Sequence, residues 1–263
     1  MIKAFKEKHG YDPREQEDPS KDEKWLKFRC DMVSEVANLV AEVVHKNGKV
    51  MSASPFPTPK MAARMVRQYW GDWNLDIVFP MVYHNFYTED VSFVADCTIE
   101  NARDKQDMTT LGAGVWAYNT PEMFATMDAA FNNGAQAISM FTAEEIKDPA
   151  IRKQFKEYAD SARAARKANG GVVKATYPKV ADPDPFKKEG VMKVIESRMQ
   201  KLIAEADGKT ELALLALGEY EFKGQEDITK RYEVTDANSK KTFDVYFYFY
   251  GDILSGWNVY LKK

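Results

Sequence analysis

The chain has 263 residues, room for one large domain or two moderate ones, and its 44% hydrophobic and 29% charged content excludes a disordered chain. A formal net charge of -3 gives no basic surface for gathering nucleic acid. The lysines and arginines of residues 152–174 are interleaved with Glu157, Asp160 and alanines, the pattern of a solvated helix face. No run of apolar residues reaches the roughly 18 needed to span a bilayer. Met1-Ile2-Lys3-Ala4-Phe5 lacks the apolar core of a secretory signal. Localisation is left open by this, envelope or secreted if an upstream segment carries a signal.

Residues 1–24 read as a short helix followed by a turn-rich loop through Tyr11-Asp12-Pro13 and Asp18-Pro19-Ser20. Phe28, Met32, Val36, Leu39, Val40, Val43 and Val44 then recur three or four apart, which predicts a strong helix with one apolar face. Asp22 and Glu23 suit its first turn, and Gly48 suits its left-handed C-cap. From residue 48 to residue 142 four apolar runs, 49–55, 75–83, 110–118 and 135–142, alternate with helix-length segments. Such alternation predicts parallel strands covered by helices. Thr58-Pro59 and Thr120-Pro121 each offer an N-cap followed by proline at the first helical position. Pro149 opens a long last helix of this region, ending near Asn169-Gly170-Gly171.

Composition shifts at residues 177–186, where Pro178, Pro183 and Pro185 stand among aspartates, a linker signal. Beyond it Val191, Met192, Ile195, Met199, Leu202 and Ile203 predict one amphipathic helix, stopped by Asp207-Gly208. Strand-type runs follow at 211–222, 228–234, 242–250 and 253–261, with a hairpin turn at Asp236-Ala237-Asn238-Ser239. In residues 243–250 Phe and Val alternate with Asp and Tyr, which sets a buried face against a tyrosine face. The expected organisation is an α/β unit over 1–176, a linker over 177–186, and a small α+β domain over 187–263 with one helix on a four-stranded antiparallel sheet.

Three segments carry a resemblance. They are Trp25-Leu26-Lys27-Phe28-Arg29, Ser54-Pro55-Phe56 at the end of a run, and Asp76-Ile77-Val78-Phe79-Pro80-Met81-Val82-Tyr83. In order and spacing they resemble the carboxyl-terminal half of bacterial glycosyl-hydrolase-like TIM barrels, the glycosyl hydrolase-like family 10, over about residues 1–170. Met81 stands where that family usually has glutamine. The resemblance implies a partial (β/α) barrel made of strands five to eight, acting on carbohydrate as a glycoside hydrolase. By the same resemblance the aspartate-rich end of strand four, expected to hold a main catalytic carboxylate, would lie before this chain. A half barrel would expose strand edges and an apolar interior. It is therefore expected to self-associate or to be completed by an upstream polypeptide. A non-catalytic carbohydrate-binding or cell-envelope protein is the alternative, and an interaction module using the tyrosine face is a third.

In such barrels the chemistry sits at the carboxyl ends of the strands. Glu144, just past the fourth run, is the candidate catalytic acid, or else an ordinary helix-start acid beside Glu145. Tyr83, Trp116 and Tyr118 fall at strand ends, where a flat ring can stack on a sugar face or simply pack beneath the loops. His84 is a candidate acid/base or hydrogen-bond donor, Ser54 a hydrogen-bonding group, and Arg29 a partner for a carboxylate in the cleft or in a surface salt bridge. Glu122 reads as a capping residue and Asp76, at the opening of a strand, as structural. Cys30, Cys97 and the scattered His9, His45 and His84 stand in no metal-ligand spacing, so no metal, no cofactor and two free thiols are expected.

Overall fold

A computed structural model describes residues 1–87, 89–116, 120–142, 146–168, 170, 185–187, 189–209, 211–212, 214–226, 228–250 and 253–262. The chain divides into two compact units. The first comprises Met1–Tyr83 and Val94–Pro178, the second His84–Phe93 and Lys179–Lys263.

The first unit is mixed α/β. Its elements are α1 (Ile2–His9), α2 (Glu23–Lys46), β1 (Ser52–Ala53), α3 (Pro59–Val66), β2 (Ile77–Val78), α4 (Ser92–Asp104), β3 (Thr110–Trp116), α5 (Thr120–Asn132), β4 (Ala137–Phe141) and α6 (Pro149–Ala168). The local signals act as chemistry dictates. The Asp22 carboxylate accepts from the N–H groups of Lys24 and Trp25, two donors that α2 itself cannot satisfy. Thr58 Oγ1 accepts from Met61 N–H at 3.2 Å, with Pro59 in the first turn of α3. Gly48 takes φ 64 beyond the end of α2, where its N–H reaches His45 O at 2.8 Å.

The four strands pair in chain order, β1-β2-β3-β4, and every pair is parallel. Each pair is joined through a helical crossover, and Val33 and Ala37 of α2, Ala62 of α3 and Ala102 of α4 pack with Val78 and Leu111. Register separates the faces, because paired residues point the same way. Ala53, Val78, Leu111, Ala113, Val115, Ile138 and Met140 share one face. Val78 and Leu111 are buried there in a core with Ala62, Trp70, Trp73 and Leu75. Ser52, Ile77, Thr110, Gly112, Gly114, Trp116, Ala137, Ser139 and Phe141 share the other face. Strands β1 and β2 are two residues long rather than the longer runs expected, because Pro55 and Pro80 follow them closely and lack a backbone N–H. Pairing still continues past them, from Phe79 N–H to Ala53 O and from Met81 N–H to Pro55 O, both at 2.8 Å.

One arrangement differs from what periodicity suggests. The apolar face of α2 is turned outward along most of its length: Val36 is 62% exposed, Leu39 56%, Val40 46% and Val43 61%. The helix instead buries Leu26, Cys30, Ser34 and Ala41. Only the start of the apolar stripe is covered, where fully buried Phe5 of α1 meets Trp25 and Phe28 edge-on at 5.0 and 5.3 Å. Small residues on the inner side let the helix approach its neighbours closely, and Trp73 Nε1–H donates to Ser34 Oγ across that contact at 3.0 Å. Cys30 and Cys97 are both buried and form no disulfide.

The second unit contains α7 (Glu189–Ala206), β5 (Leu217–Glu226), β6 (Thr229–Asp236), β7 (Thr242–Tyr250) and β8 (Ile253–Leu261). The strands form a curled antiparallel meander in the order β5-β6-β7-β8. Phe243, Val245 and Phe247 are fully buried, in one core with Val191, Ile195 and Met199 of α7. The opposite face carries Tyr246, edge-on to Tyr260 at 5.8 Å, and Tyr248, whose hydroxyl accepts from Asn258 at 2.8 Å. The first strand starts at Leu217, later than the expected residue 211. Asp236, wholly buried, closes the hairpin after β6: its carboxylate accepts from the N–H groups of Ala216 and Ser239 and from the Ser239 hydroxyl. Residues 171–184, which contain most of the expected linker, lie outside the described residues. Among the described residues no helix is long and apolar enough to cross a membrane.

Candidate functional site

The face of the parallel sheet opposite its helices is built from small residues on β3 and larger ones around them. A Cβ at Gly112 would lie 2.3 Å from Phe79 Cδ1, so the Phe79 ring rests directly on that backbone. A Cβ at Gly114 would stand 3.0 Å from Pro80 O, and the two backbones join through Gly114 N–H to Pro80 O and Val82 N–H to Gly114 O. These glycines bring the segment after β2 flat against β3 and carry Tyr83 to the carboxyl end of the sheet.

At that end stand Tyr83 from the segment after β2, Trp116 from β3 and Phe141 from β4. Tyr83 stacks on Phe141 with ring centroids 5.6 Å apart and planes 25° apart. Trp116 is the register partner of Phe141. Tyr83 is buried, and its burial raises its hydroxyl pKa, so the phenol is neutral and able to donate at physiological pH. Phe141 is 49% exposed, and Trp116 is half-buried. Ser54, just past β1, and Ser139, on the same face of β4 as Phe141, are exposed and carry hydroxyls. Flat apolar faces bordered by hydroxyls suit a ligand with an apolar face and a polar rim. Among the described residues of this face none is a carboxylate.

The remaining candidates separate. Arg29 lies on α2, its guanidinium 4.9 Å from the Trp25 ring and its Nε donating to Trp25 O at 3.3 Å. Burial lowers its pKa. His84 is buried in a short 3-10 turn that groups with the second unit. Glu122 sits in the first turn of α5. Tyr118 and Glu144 lie outside the described residues. Asp76 stands at the amino end of the sheet, accepting from Met51 N–H at 2.7 Å and His45 Nε2 at 2.8 Å, and these bonds hold its carboxyl below the usual range. Phe141, Phe79 and Ser139 complete the face without having been singled out beforehand. Their signal was alternation by two: Phe79 with Met81 and Tyr83, and Ser139 with Phe141.

Comparison with protein-family models, curated proteins and solved structures finds no match to this chain.

Proposed function

We propose that the first unit is a carbohydrate-active domain, the carboxyl-terminal half of a (β/α) barrel of the glycoside-hydrolase type, and that its open face binds a glycan. The observation that supports this is the group of Tyr83, Phe141 and Trp116 at the carboxyl end of the parallel sheet, with Ser139 on the same face and Ser54 past the end of β1. Rings so placed stack on the C–H faces of a sugar while hydroxyls and the Tyr83 phenol meet its oxygens. Titration with cello-, xylo-, chito- and maltohexaose, followed by calorimetry, tests the reading. Saturable binding to one of them is expected, weakened about tenfold or more by Trp116→Ala or Phe141→Ala. Absence of binding to all four, or binding indifferent to both substitutions, overturns it.

Hydrolysis is the catalytic form of the same reading, and it needs two carboxyl groups flanking the bond. Glu144 is the acid nearest in sequence to the end of β4, and a completed barrel would supply the second. Turnover of aryl glycosides, lost on Glu144→Gln, distinguishes hydrolysis from binding alone. The outward stripe Val36, Leu39, Val40 and Val43 supports completion of the barrel by association, with a second copy or another polypeptide. Sedimentation velocity is expected to show an assembly larger than a monomer, dispersed by Leu39→Glu. A monomer at all concentrations would remove self-association from the proposal and leave the glycan test standing.

A further inference from the structure

The second unit has an open sheet edge beside its helix. Strand β8 ends the order β5-β6-β7-β8, so among the described residues one side of it has no strand neighbour. Lys262 N–H donates to Thr242 O at 2.9 Å, which fixes the sidedness of the ladder. Backbone groups alternate along a strand, so residues 258 and 260 also turn to β7, while Trp257, Val259 and Leu261 present N–H and C=O to the open edge. No described residue bonds them there.

Along this edge runs an open groove of about 640 Å³ between β8 and α7. Its helix wall is Val194, Arg198 and Leu202, and its strand wall includes Trp257 and Val259. Val194 is 39% exposed. Arg198 is exposed and has no ion pair or hydrogen bond among the described residues. Trp257 Nε1–H is buried behind that wall and has no acceptor among the described residues.

We propose that this groove binds an extended peptide bearing an acidic side chain, which adds to β8 as a fifth strand. Main-chain bonds to Trp257, Val259 and Leu261 would give the affinity, and α7 would read alternate side chains. The spacings agree: Val194, Arg198 and Leu202 lie four residues apart on a helix, about 6 Å per step, and alternate residues of a strand lie about 6.8 Å apart. The matching pattern is apolar–any–acidic–any–apolar, with the acid on Arg198. A second copy is the poorer occupant. Its own β8, added antiparallel about Val259, would bring a second Arg198 to the groove, and Trp257, Val259 and Leu261 offer no anion to either.

The probe is a fluorescein-labelled peptide, Thr-Val-Thr-Glu-Thr-Leu-Thr, titrated with the full chain and followed by fluorescence anisotropy. Saturable binding is expected, weakened about tenfold or more by glutamine in place of its glutamate or by Arg198→Glu. Lysine in place of that glutamate should restore binding to the Arg198→Glu chain. N-methylation of the peptide at alternate amides should abolish binding in one register and spare it in the other, since only one set faces β8. Absence of saturation, binding unchanged by Arg198→Glu, or equal effects of both methylation registers overturns the proposal. So does a dimer in sedimentation that Arg198→Glu leaves intact and that excludes the peptide, which would make a second copy the occupant. Arg198 is exposed, so circular dichroism of the variant is expected to match that of the parent.

Discussion

The two sheets solve the same problem, one face covered by helix and one not, by opposite routes. In the parallel sheet β1 and β2 are two residues long, and each neighbour arrives only after a helical crossover. Its side-chain alignment depends on distant contacts, such as Phe79 lying on Gly112 and Asp76 joining Met51 and His45. In the antiparallel sheet β6, β7 and β8 are eight or nine residues long and follow each other closely along the chain. There Asp236 secures a hairpin from within. The parallel arrangement gathers residues 54, 83, 116 and 141 from across the sequence to one end, which is what a ligand platform needs. The antiparallel one leaves a continuous edge, which is what a strand-shaped partner needs.

Four changes test that contrast. The largest effect is expected from Phe247→Ala, which empties a fully buried site in the antiparallel unit and should cost about 3–5 kcal/mol in urea unfolding. Asp236→Ala should cost roughly 2–3 kcal/mol, because it strands the N–H groups of Ala216 and Ser239. A loss below 1 kcal/mol there would mean that the hairpin does not depend on its internal carboxylate. Gly112→Ala should cost about 1–3 kcal/mol by forcing Phe79 off the strand. That penalty should shrink in a Phe79→Ala background, a coupling that a double-mutant cycle measures. Arg67, in the left-handed region at φ 66, should change sign: Arg67→Gly is expected to stabilise the first unit by about 0.5–1 kcal/mol.

Acid gives a further comparison. Burial would raise Asp236, but the Ser239 hydroxyl and the amides of Ala216 and Ser239 outweigh it and hold the carboxyl low. Asp76 is held low by Met51 N–H and then by His45. A carboxyl lowered in the native state contributes its stability above the ordinary carboxylate pKa, about 4, and loses it as pH falls through the native value. Both units should therefore weaken below about pH 4. The Asp236→Ala chain should show a shallower acid loss than the parent, in unfolding measured across that range.

Much of this was legible in the chain. The helix starts at Asp22, Thr58 and Pro149 rest on local capping chemistry, which acts within a single turn and so shows in sequence. The alternation of residues 243–250 was legible for the same reason, since strand periodicity is local. The outward face of α2 was not. Periodicity shows that Val36, Leu39 and Val43 share a side, but which side meets the protein is decided by how closely Ser34 and Ala41 let the helix approach its neighbours. Of the candidate site, Tyr83 and Trp116 were found from their places at run ends. Phe141 was not, because its partnership with Trp116 exists only through the register of β3 and β4. The groove on β8 was equally silent, since an unpaired edge is a property of strand order.

The two buried thiols have a practical corollary. Both Cys30 and Cys97 belong to the first unit, and the chain holds no others. Burial raises the pKa of Cys30, so its reactive thiolate is scarce while the native packing persists. Alkylation by iodoacetamide then proceeds only when that packing loosens. Its rate is a clock for local opening of the glycan-platform unit alone, blind to the antiparallel sheet and needing no added label.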